Sequence, residues 1–236
     1  MKKGLVVSDL HFFSRRSHGE ALFKGLGPQL EKVDLLVLNG DTFDFRWSTL
    51  ASEAHSLAAA REWLEDWVGR FQGRRIHFVL GNHDCLTPFR AMIEGLAEGS
   101  EVLQVHELHL TLGRSLFLHG DCANRCMSRE RLAKYRDYWS RDQQRGAWGR
   151  AFYDVVDATR AGILFHRCYF PQTATVDRVA GYLDEVLPGW QDDIDDCYFG
   201  HTHRPFRDHA KGNVRFHNTG SGTRGMGFLP LEFTVE

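Results

Sequence analysis

Paired cysteines, long apolar runs and a strong net charge are all absent from this sequence of 236 residues. Its five cysteines are odd in number and include no Cys-x-x-Cys pair, which argues against a disulfide framework and favours a reducing compartment. No apolar run reaches the roughly 18 residues of a membrane-spanning helix, and no signal-peptide core follows the basic start. The formal charge of −2 gives no whole-chain signal for nucleic-acid binding. We therefore expect a cytoplasmic protein without a transmembrane segment and with no nucleic-acid partner; peripheral contact with a membrane stays open.

The order of apolar and polar stretches predicts an α/β fold. Apolar runs typical of buried strands end in polar loops at residues 5–11, 33–41, 74–84, 114–121 and 195–203. Apolar residues at helical spacing predict helices near residues 19–32, 52–71 and 88–97. Because strands and helices alternate in the first half and strands dominate later, we expect two sheets packed face to face with helices outside.

One segment differs from the rest in charge. Between Arg125 and Arg167, nine arginines and one lysine outnumber five acidic residues. Apolar and aromatic residues recur at helical spacing on either side of Gly146 and Gly149. We expect a helical hairpin inserted into the α/β body, with the two glycines at the turn between its helices.

Polar side chains of a few types follow each of the five apolar runs. They are Asp9 and His11, then Asp41, then Asn82, His83 and Asp84, then His119, and finally His201 and His203. In open α/β sheets, ligands bind at the carboxyl ends of the strands. Imidazole, carboxylate and amide donors without thiolate suit manganese, iron or zinc better than calcium. Without His83 and Asp84 the set contains two aspartates, four histidines and one asparagine. Since these seven donors exceed the needs of one ion, the pattern predicts two metals about 3.5–4 Å apart with one shared carboxylate.

These segments resemble the calcineurin-like metallophosphoesterase family. The resemblance rests on DLH (9–11), GD (40–41), GNHD (81–84), HGD (119–121) and GHTH (200–203). It implies a single domain over residues 1–236, a four-layer α/β/β/α sandwich with a metal site at one edge and a helical cap insert at about 123–168. The implied activity is hydrolysis of phosphoesters or pyrophosphates by metal-activated hydroxide. The implied cofactors are two divalent ions, with manganese expected and iron or zinc as alternatives.

The same resemblance implies a role for each donor. Asp9, His11 and His203 would hold the first metal, while Asn82, His119 and His201 would hold the second, and Asp41 would bridge them. His83 would face the phosphate as a general acid or a cationic stabiliser, with Asp84 orienting it. Asp44 and Asp121 are expected to support neighbouring groups or cap turns rather than bind metal.

The insert is the expected source of substrate choice. We expect Arg125, Arg129, Arg136, Tyr135 and Trp139 to contact a phosphorylated small molecule or a lipid-linked nucleotide, with Leu132, Trp148 and Phe152 completing an apolar slot. The alternative is an amphipathic lid whose arginines are solvated on its outer face. The runs SDLHFF and GDTFDFRW, with the helical insert, are loosely similar to the UDP-2,3-diacylglucosamine pyrophosphatase branch, which is peripheral to the inner membrane. His83 departs from the arginine of that branch. A phosphatase or nucleotidase for a small soluble phosphate, and a non-catalytic scaffold of the same fold, are the alternatives.

Overall fold

Two five-stranded sheets form the centre of the molecule. The computed structural model describes residues 1–146 and 168–236. The first sheet contains, in spatial order, β10 (Leu231–Val235), β1 (Lys2–Val7), β2 (Leu35–Asn39), β3 (Arg75–Val79) and β4 (Leu103–His106). The second contains β5 (His109–Leu112), β6 (Ser115–Leu118), β7 (Asp196–Phe199), β9 (Val214–Asn218) and β8 (Phe206–Lys211). Three pairings of the first sheet are parallel, because β1, β2, β3 and β4 run the same way. Two pairings of the second sheet are parallel, because β6, β7 and β9 run the same way.

Helices cover the outer face of each sheet. The described ranges contain α1 (Gly19–Gly25), α2 (Gly27–Leu30), α3 (Glu53–Arg70), α4 (Thr87–Glu98), α5 (Arg129–Ser140), α6 (Gln172–Val186) and α7 (Trp190–Asp193), with a 3₁₀ turn at Asp121–Asn124. The single helix predicted for residues 19–32 is therefore two short helices, and Pro28 lies in the first turn of the second, where its missing N–H costs nothing. Among the described residues, no helix has the length and apolarity needed to cross a membrane.

The alternation of side chains along each strand builds four layers. On β1, Leu5 and Val7 face the core beneath α1, α3 and α4, whereas Val6 faces the second sheet and packs in the same cluster as Phe117. On the far side, Leu116 and its neighbours pack against α6 and α7. Because successive residues of a strand point to opposite faces, one apolar strand contributes to two cores. The predicted helix–sheet–sheet–helix sandwich is confirmed.

A buried amide joins the two sheets next to the site. Asn39, the last residue of β2, is fully buried, and its Nδ2 donates to the carbonyl of Leu118 at 2.9 Å and to that of Tyr198 at 3.1 Å. These bonds link β2 to the ends of β6 and β7. They fix the distance between the strand ends from which the site residues extend.

The predicted insert is only partly within the described residues. Its first predicted helix is α5. The second, with Trp148 and Phe152, lies outside the described ranges, so the boundaries of about 123 and 168 stay a prediction. Alternating leucines at residues 108–112 and apolar residues within 214–222 and 227–236 also predict strands, and these are β5, β9 and β10. Strands β4 and β8 and helices α6 and α7 were not predicted from the sequence.

Candidate metal centre

Loops from both sheets meet at one edge of the sandwich. The N–H of Asp9 donates to the Gly40 carbonyl and that of His11 to the Asp41 carbonyl, both at 2.9 Å. On the second sheet, the N–H of Gly200 donates to the carbonyl of His119 at 2.8 Å. The loops after β1 and β2, and those after β6 and β7, are therefore joined to each other by their backbones. These backbone hydrogen bonds fix the positions from which the side chains of the site extend.

Several of the site residues have an unusual backbone conformation. Positive φ angles occur at Asp9 (52°), His11 (48°), Asp41 (52°), His201 (63°) and His203 (54°). For a non-glycine residue the left-handed region costs roughly 1–2 kcal/mol, and such residues persist where surrounding structure fixes them, often at functional sites. Five of the seven predicted metal donors therefore have strained backbones; Phe13 and Asp208 are the other non-glycine residues with positive φ in the described ranges.

Glycines beside the donors make the close approach of their neighbours possible. A Cβ atom at Gly40 would overlap the ring of His119, one at Gly81 would overlap Asp41, and one at Gly200 would overlap Asp9. Gly40 also has a φ of 87°, which glycine adopts readily. Each of these glycines therefore leaves room for a donor side chain that comes from another strand.

The first group of donors consists of Asp9, His11 and His203. Asp9 Oδ1 lies 3.2 Å from His203 Nε2 and 3.9 Å from His11 Nε2. The Nε2 atoms of His11 and His203 are 3.1 Å apart. Asp41 Oδ2 lies 3.9 Å from His11 Nε2, so this oxygen faces the first group.

The second group lies on the other side of Asp41. The same Oδ2 is 3.4 Å from His119 Nε2. That nitrogen is 3.3 Å from Asn82 Oδ1 and 3.2 Å from His201 Nδ1. The structure thus brings together all seven predicted donors, and one carboxylate oxygen of Asp41 borders both groups. Its other oxygen accepts the N–H of His83 at 2.8 Å.

The donor atoms fit a metal pair. Asp9 Oδ1 is buried and makes no hydrogen bond. Ring nitrogens face each other within each group, at 3.1 Å and 3.2 Å, an arrangement that needs a proton or a cation between them. Atoms that share one ion at about 2.0–2.2 Å are separated by distances of this size. Both groups can therefore bind a divalent cation.

The charges of the cluster are strongly coupled. Burial raises the pKa of Asp9. Burial acts the same way on Asp41, but His119 and His83 outweigh it and hold the Asp41 pKa well below its usual value. Burial opposes protonation of His119, yet the Asp41 carboxylate raises its pKa to about 10. Burial, followed by the adjacent His119, lowers the pKa of His201 to about 3. Protonated imidazole thus compensates the carboxylate charge, as a cation would.

His83 is supported by a carboxylate that the sequence did not assign to it. Its Nδ1–H donates to Asp44 Oδ1 at 3.0 Å, whereas Asp84 accepts the N–H groups of Thr42 and Phe43, each at 3.1 Å. The expected contact between Asp84 and His83 is therefore wrong; Asp84 shapes the loop after β2 instead. Burial opposes protonation of His83, but Asp44 raises its pKa overall.

A cavity of about 460 Å³ opens above the donor groups. Beyond the donors and His83, the described residues that line it are Arg16, Asn124, Arg125, Met127, Tyr135, Trp139, Tyr169 and Phe170. The predicted substrate contacts Arg125, Tyr135 and Trp139 are thus at the cavity. Sequence reasoning missed Arg16, Tyr169 and Phe170, which carry no motif. It also missed Asn124, whose Oδ1 accepts the Nε2–H of His201 at 2.8 Å and so turns Nδ1 toward the second group.

Two predicted substrate contacts lie elsewhere. Arg136 is 6% exposed, and its guanidinium binds both oxygens of Asp121, at 2.8 and 3.0 Å, so its assignment to the substrate is wrong. The N–H of Arg129 donates to Glu185 at 3.0 Å, and this exposed residue does not line the cavity. Asp121 pairs with arginine, as expected of a group that supports its neighbours.

Comparisons with known proteins agree with this geometry. A family model described as calcineurin-like phosphoesterase matches residues 3–205. No curated protein sequence matches the chain. The solved structure of phosphopantetheinyl hydrolase from Mycobacterium tuberculosis is similar, with a TM-score of 0.53, 15% identity, and coverage of 99% of this chain and 96% of that one. The solved structure of a dimetal phosphatase from Danio rerio has a TM-score of 0.49 and 11% identity, and the match covers 100% of this chain and 99% of that one. At this identity the first similarity shows the fold alone, and the UDP-2,3-diacylglucosamine pyrophosphatase branch is not confirmed.

Proposed function

This chain belongs to the calcineurin-like phosphoesterase family and is a hydrolase of phosphoester bonds, and we propose that it acts through two divalent cations. Asp9, His11 and His203 would hold one cation, Asn82, His119 and His201 the other, and Asp41 both. The observation that carries this proposal is the position of Asp41 Oδ2, which lies 3.9 Å from His11 Nε2 and 3.4 Å from His119 Nε2. One oxygen can therefore serve both groups.

The donor set favours manganese, with iron or zinc as alternatives, because it combines imidazole nitrogen with carboxylate and amide oxygen and has no thiolate. Bound there, the cations would supply Lewis-acid polarisation of the phosphoryl group and a water molecule of lowered pKa. His83 would give its proton to the leaving oxygen. Its Nδ1 is bound to Asp44, which leaves Nε2 as the nitrogen that can meet the substrate. The raised pKa of His83 keeps this proton available near neutral pH.

The cavity supports a substrate larger than a bare phosphate. Its aromatic lining, formed by Tyr135, Trp139, Tyr169 and Phe170, suits a partly apolar group, and Arg16 and Arg125 suit an anion. We therefore favour a pyrophosphate or phosphodiester with a bulky substituent, a class that includes lipid-linked nucleotide diphosphates. The five free thiols support a cytoplasmic location.

Metal analysis and a substrate panel test the proposal. The purified protein should contain about two transition-metal ions per chain, and dialysis against a chelator should abolish hydrolysis of bis(p-nitrophenyl) phosphate until manganese is restored. A lipid-linked nucleotide diphosphate should react faster than p-nitrophenyl phosphate. Reaction with small monoesters alone would favour the phosphatase alternative. A metal-free protein that turns over no phosphorus ester would favour the scaffold.

A further inference from the structure

His201 is the proposed donor that the surrounding protein encloses least. The other six donors are buried, whereas His201 is only partly buried and lines the cavity. The imidazole of a histidine rotates about a broad χ2 torsion, and a ring at a cavity wall has fewer packed neighbours to oppose that rotation. The direction in which its two nitrogens point therefore depends on the hydrogen bonds that they make.

Asn124 supplies a hydrogen bond at the nitrogen that is remote from the second group. Its Oδ1 lies 2.8 Å from His201 Nε2, while His201 Nδ1 lies 3.2 Å from His119 Nε2 within the group. A ring nitrogen that binds a cation presents a lone pair, so the proton of the neutral ring must be on Nε2. The partner of Nε2 must then be the amide oxygen, which fixes the orientation of the Asn124 side chain.

The corresponding contacts of two other histidine donors are longer. His119 Nδ1 lies 3.4 Å from the carbonyl oxygen of Asn39, and His11 Nδ1 lies 3.6 Å from Asp44 Oδ2. Both of these rings are buried, so packing holds them. Of the three, His201 has the least packing and the shortest hydrogen bond, and it therefore depends most on its partner.

The 3₁₀ turn that carries Asn124 is itself held by the protein around it. The Tyr169 hydroxyl donates to the Asn124 carbonyl at 2.9 Å, and Arg178 of α6 donates to the Ala123 carbonyl at 3.0 Å. At the start of the same turn, Asp121 binds Arg136 of α5. The amide of Asn124 therefore extends from a fixed backbone and has a defined position relative to His201.

We propose that Asn124 is a positioning residue that sets the affinity for the second cation, because it holds His201 in the orientation that binds this cation. The inference rests on the proposed function, which takes Asn82, His119 and His201 as the donors of that cation. Partners of this kind orient a ligating imidazole and raise its basicity, and their loss typically lowers metal affinity about 10- to 100-fold. The hydrogen bond links Asn124 to the second cation, so the affinity for the first should change little.

The substitution Asn124→Ala removes the acceptor. We would strip the protein of metal with a chelator and titrate it with manganese, counting free Mn²⁺ by electron paramagnetic resonance. The step that is lost in Asn82→Ala, which lacks a proposed donor of the second cation, identifies that cation in the isotherm. Asn124→Ala should weaken this step about 10- to 100-fold and leave the other step within about twofold of the wild type.

Asn124→Asp separates positioning from a purely structural role. The aspartate keeps an oxygen that accepts the N–H of His201, and a carboxylate raises the basicity of the ring further. The second step should therefore have wild-type affinity or higher. Urea unfolding of the metal-free variants checks that each is folded, and Asn124→Leu, which keeps the size and lacks an acceptor, replaces an Asn124→Ala that does not fold.

Asn213→Ala is the matched control. Asn213 is exposed in the turn between β8 and β9, where its Nδ2 donates to the Gln191 carbonyl at 2.8 Å, so its loss should leave both steps unchanged. Unchanged affinity of both steps without the Asn124 acceptor, equal weakening of both, or the same weakening in Asn124→Asp would each overturn the inference. Failure of the wild type to bind two manganese ions would instead contradict the proposed function.

Discussion

Replacing Asp44 with asparagine tests how His83 is kept protonated. Asp44 is fully buried; its Oδ1 accepts from His83 Nδ1 at 3.0 Å, and its Oδ2 lies 3.6 Å from His11 Nδ1. Burial opposes ionisation of Asp44, but His83 and His11 keep its pKa below the usual range. Asp44 is not one of the proposed metal donors, so its negative charge would still act on His83 when the metals are bound. Asparagine keeps the shape and removes that charge.

The expected effect follows from the difference between a charged and a neutral hydrogen bond. That difference is about 1–1.5 kcal/mol, which corresponds to roughly a tenfold change in an equilibrium constant. His83 has a raised pKa, and its acid function is lost as pH rises through that pKa. In Asp44→Asn the loss should begin at lower pH, so kcat/KM should fall about tenfold on the alkaline side and change little on the acid side.

The assay is the pH dependence of kcat/KM for bis(p-nitrophenyl) phosphate at saturating manganese. Asp84→Asn is the control, because the Asp84 carboxylate accepts backbone N–H groups, whereas the His83 imidazole is bonded to Asp44. That variant should unfold at a lower urea concentration without a shift of the alkaline limb. A shift in Asp84→Asn with none in Asp44→Asn would refute our assignment of the supporting carboxylate.

Three further predictions concern metal binding and stability. Asp41→Asn should reduce the content of both metals, measured by elemental analysis, because its Oδ2 borders both donor groups; loss of one ion alone would contradict the bridging role. Arg136→Met should lower the free energy of unfolding in urea by about 3–5 kcal/mol, because it leaves the Asp121 carboxylate buried without its partner, and KM should stay unchanged. Burial, followed by the adjacent His106, lowers the pKa of His77 to about 4. The unfolded chain therefore binds a proton that the folded one excludes, so stability should fall by up to about 3 kcal/mol between pH 6.5 and 4, and His77→Leu should abolish most of this fall.

The positions of the metal donors could be predicted from the sequence for a simple geometric reason. Each donor follows an apolar run, and the carboxyl ends of parallel strands meet at one sheet edge. Once β1, β2 and β3 are recognised as parallel neighbours, Asp9, Asp41 and Asn82 must lie together. The donors of the second sheet could not be placed by this rule, because the apolar pattern of its strands does not predict that its edge adjoins the edge of the first sheet. In the structure, the side-chain amide of Asn39 bonds to strands of the second sheet and so holds the two edges next to each other.

The spacing of residues on α5 contained information that the sequence analysis did not use. Leu132 and Arg136 are four residues apart and therefore share one face of the helix. Since Leu132 belongs to the core, Arg136 had to point inward as well. Tyr135 and Trp139 lie toward one edge of the same broad face, because residues three or four apart are neighbours on a helix, and both line the cavity. The excess positive charge of the segment suggested substrate binding for Arg125, Arg129 and Arg136, whereas Arg136 is paired with Asp121.

Which carboxylate supports His83 could not be obtained from spacing. Asp44 and Asp84 each lie in a loop after a buried strand, and Asp84 is adjacent to His83 in sequence. Adjacency proved misleading because both oxygens of Asp84 are occupied by backbone N–H groups from the loop after β2. Asp44 reaches the imidazole from a different strand. Contacts of this kind depend on the conformation of the loops, which an apolar–polar pattern does not encode.

The backbone of the site shows why loop conformation matters so much here. Glycine adopts a positive φ without strain, but it has no side chain that could bind a metal. Asp9, His11 and Asp41 therefore adopt the strained conformation themselves. Glycine occupies the neighbouring positions, such as Gly40 and Gly81, where the side chains of other donors fill the space that a Cβ would take. The two residue types are therefore not interchangeable within these motifs. A donor residue is needed where a side-chain oxygen or nitrogen must reach the site. A glycine is needed where the donor side chain of another strand occupies the space of a Cβ.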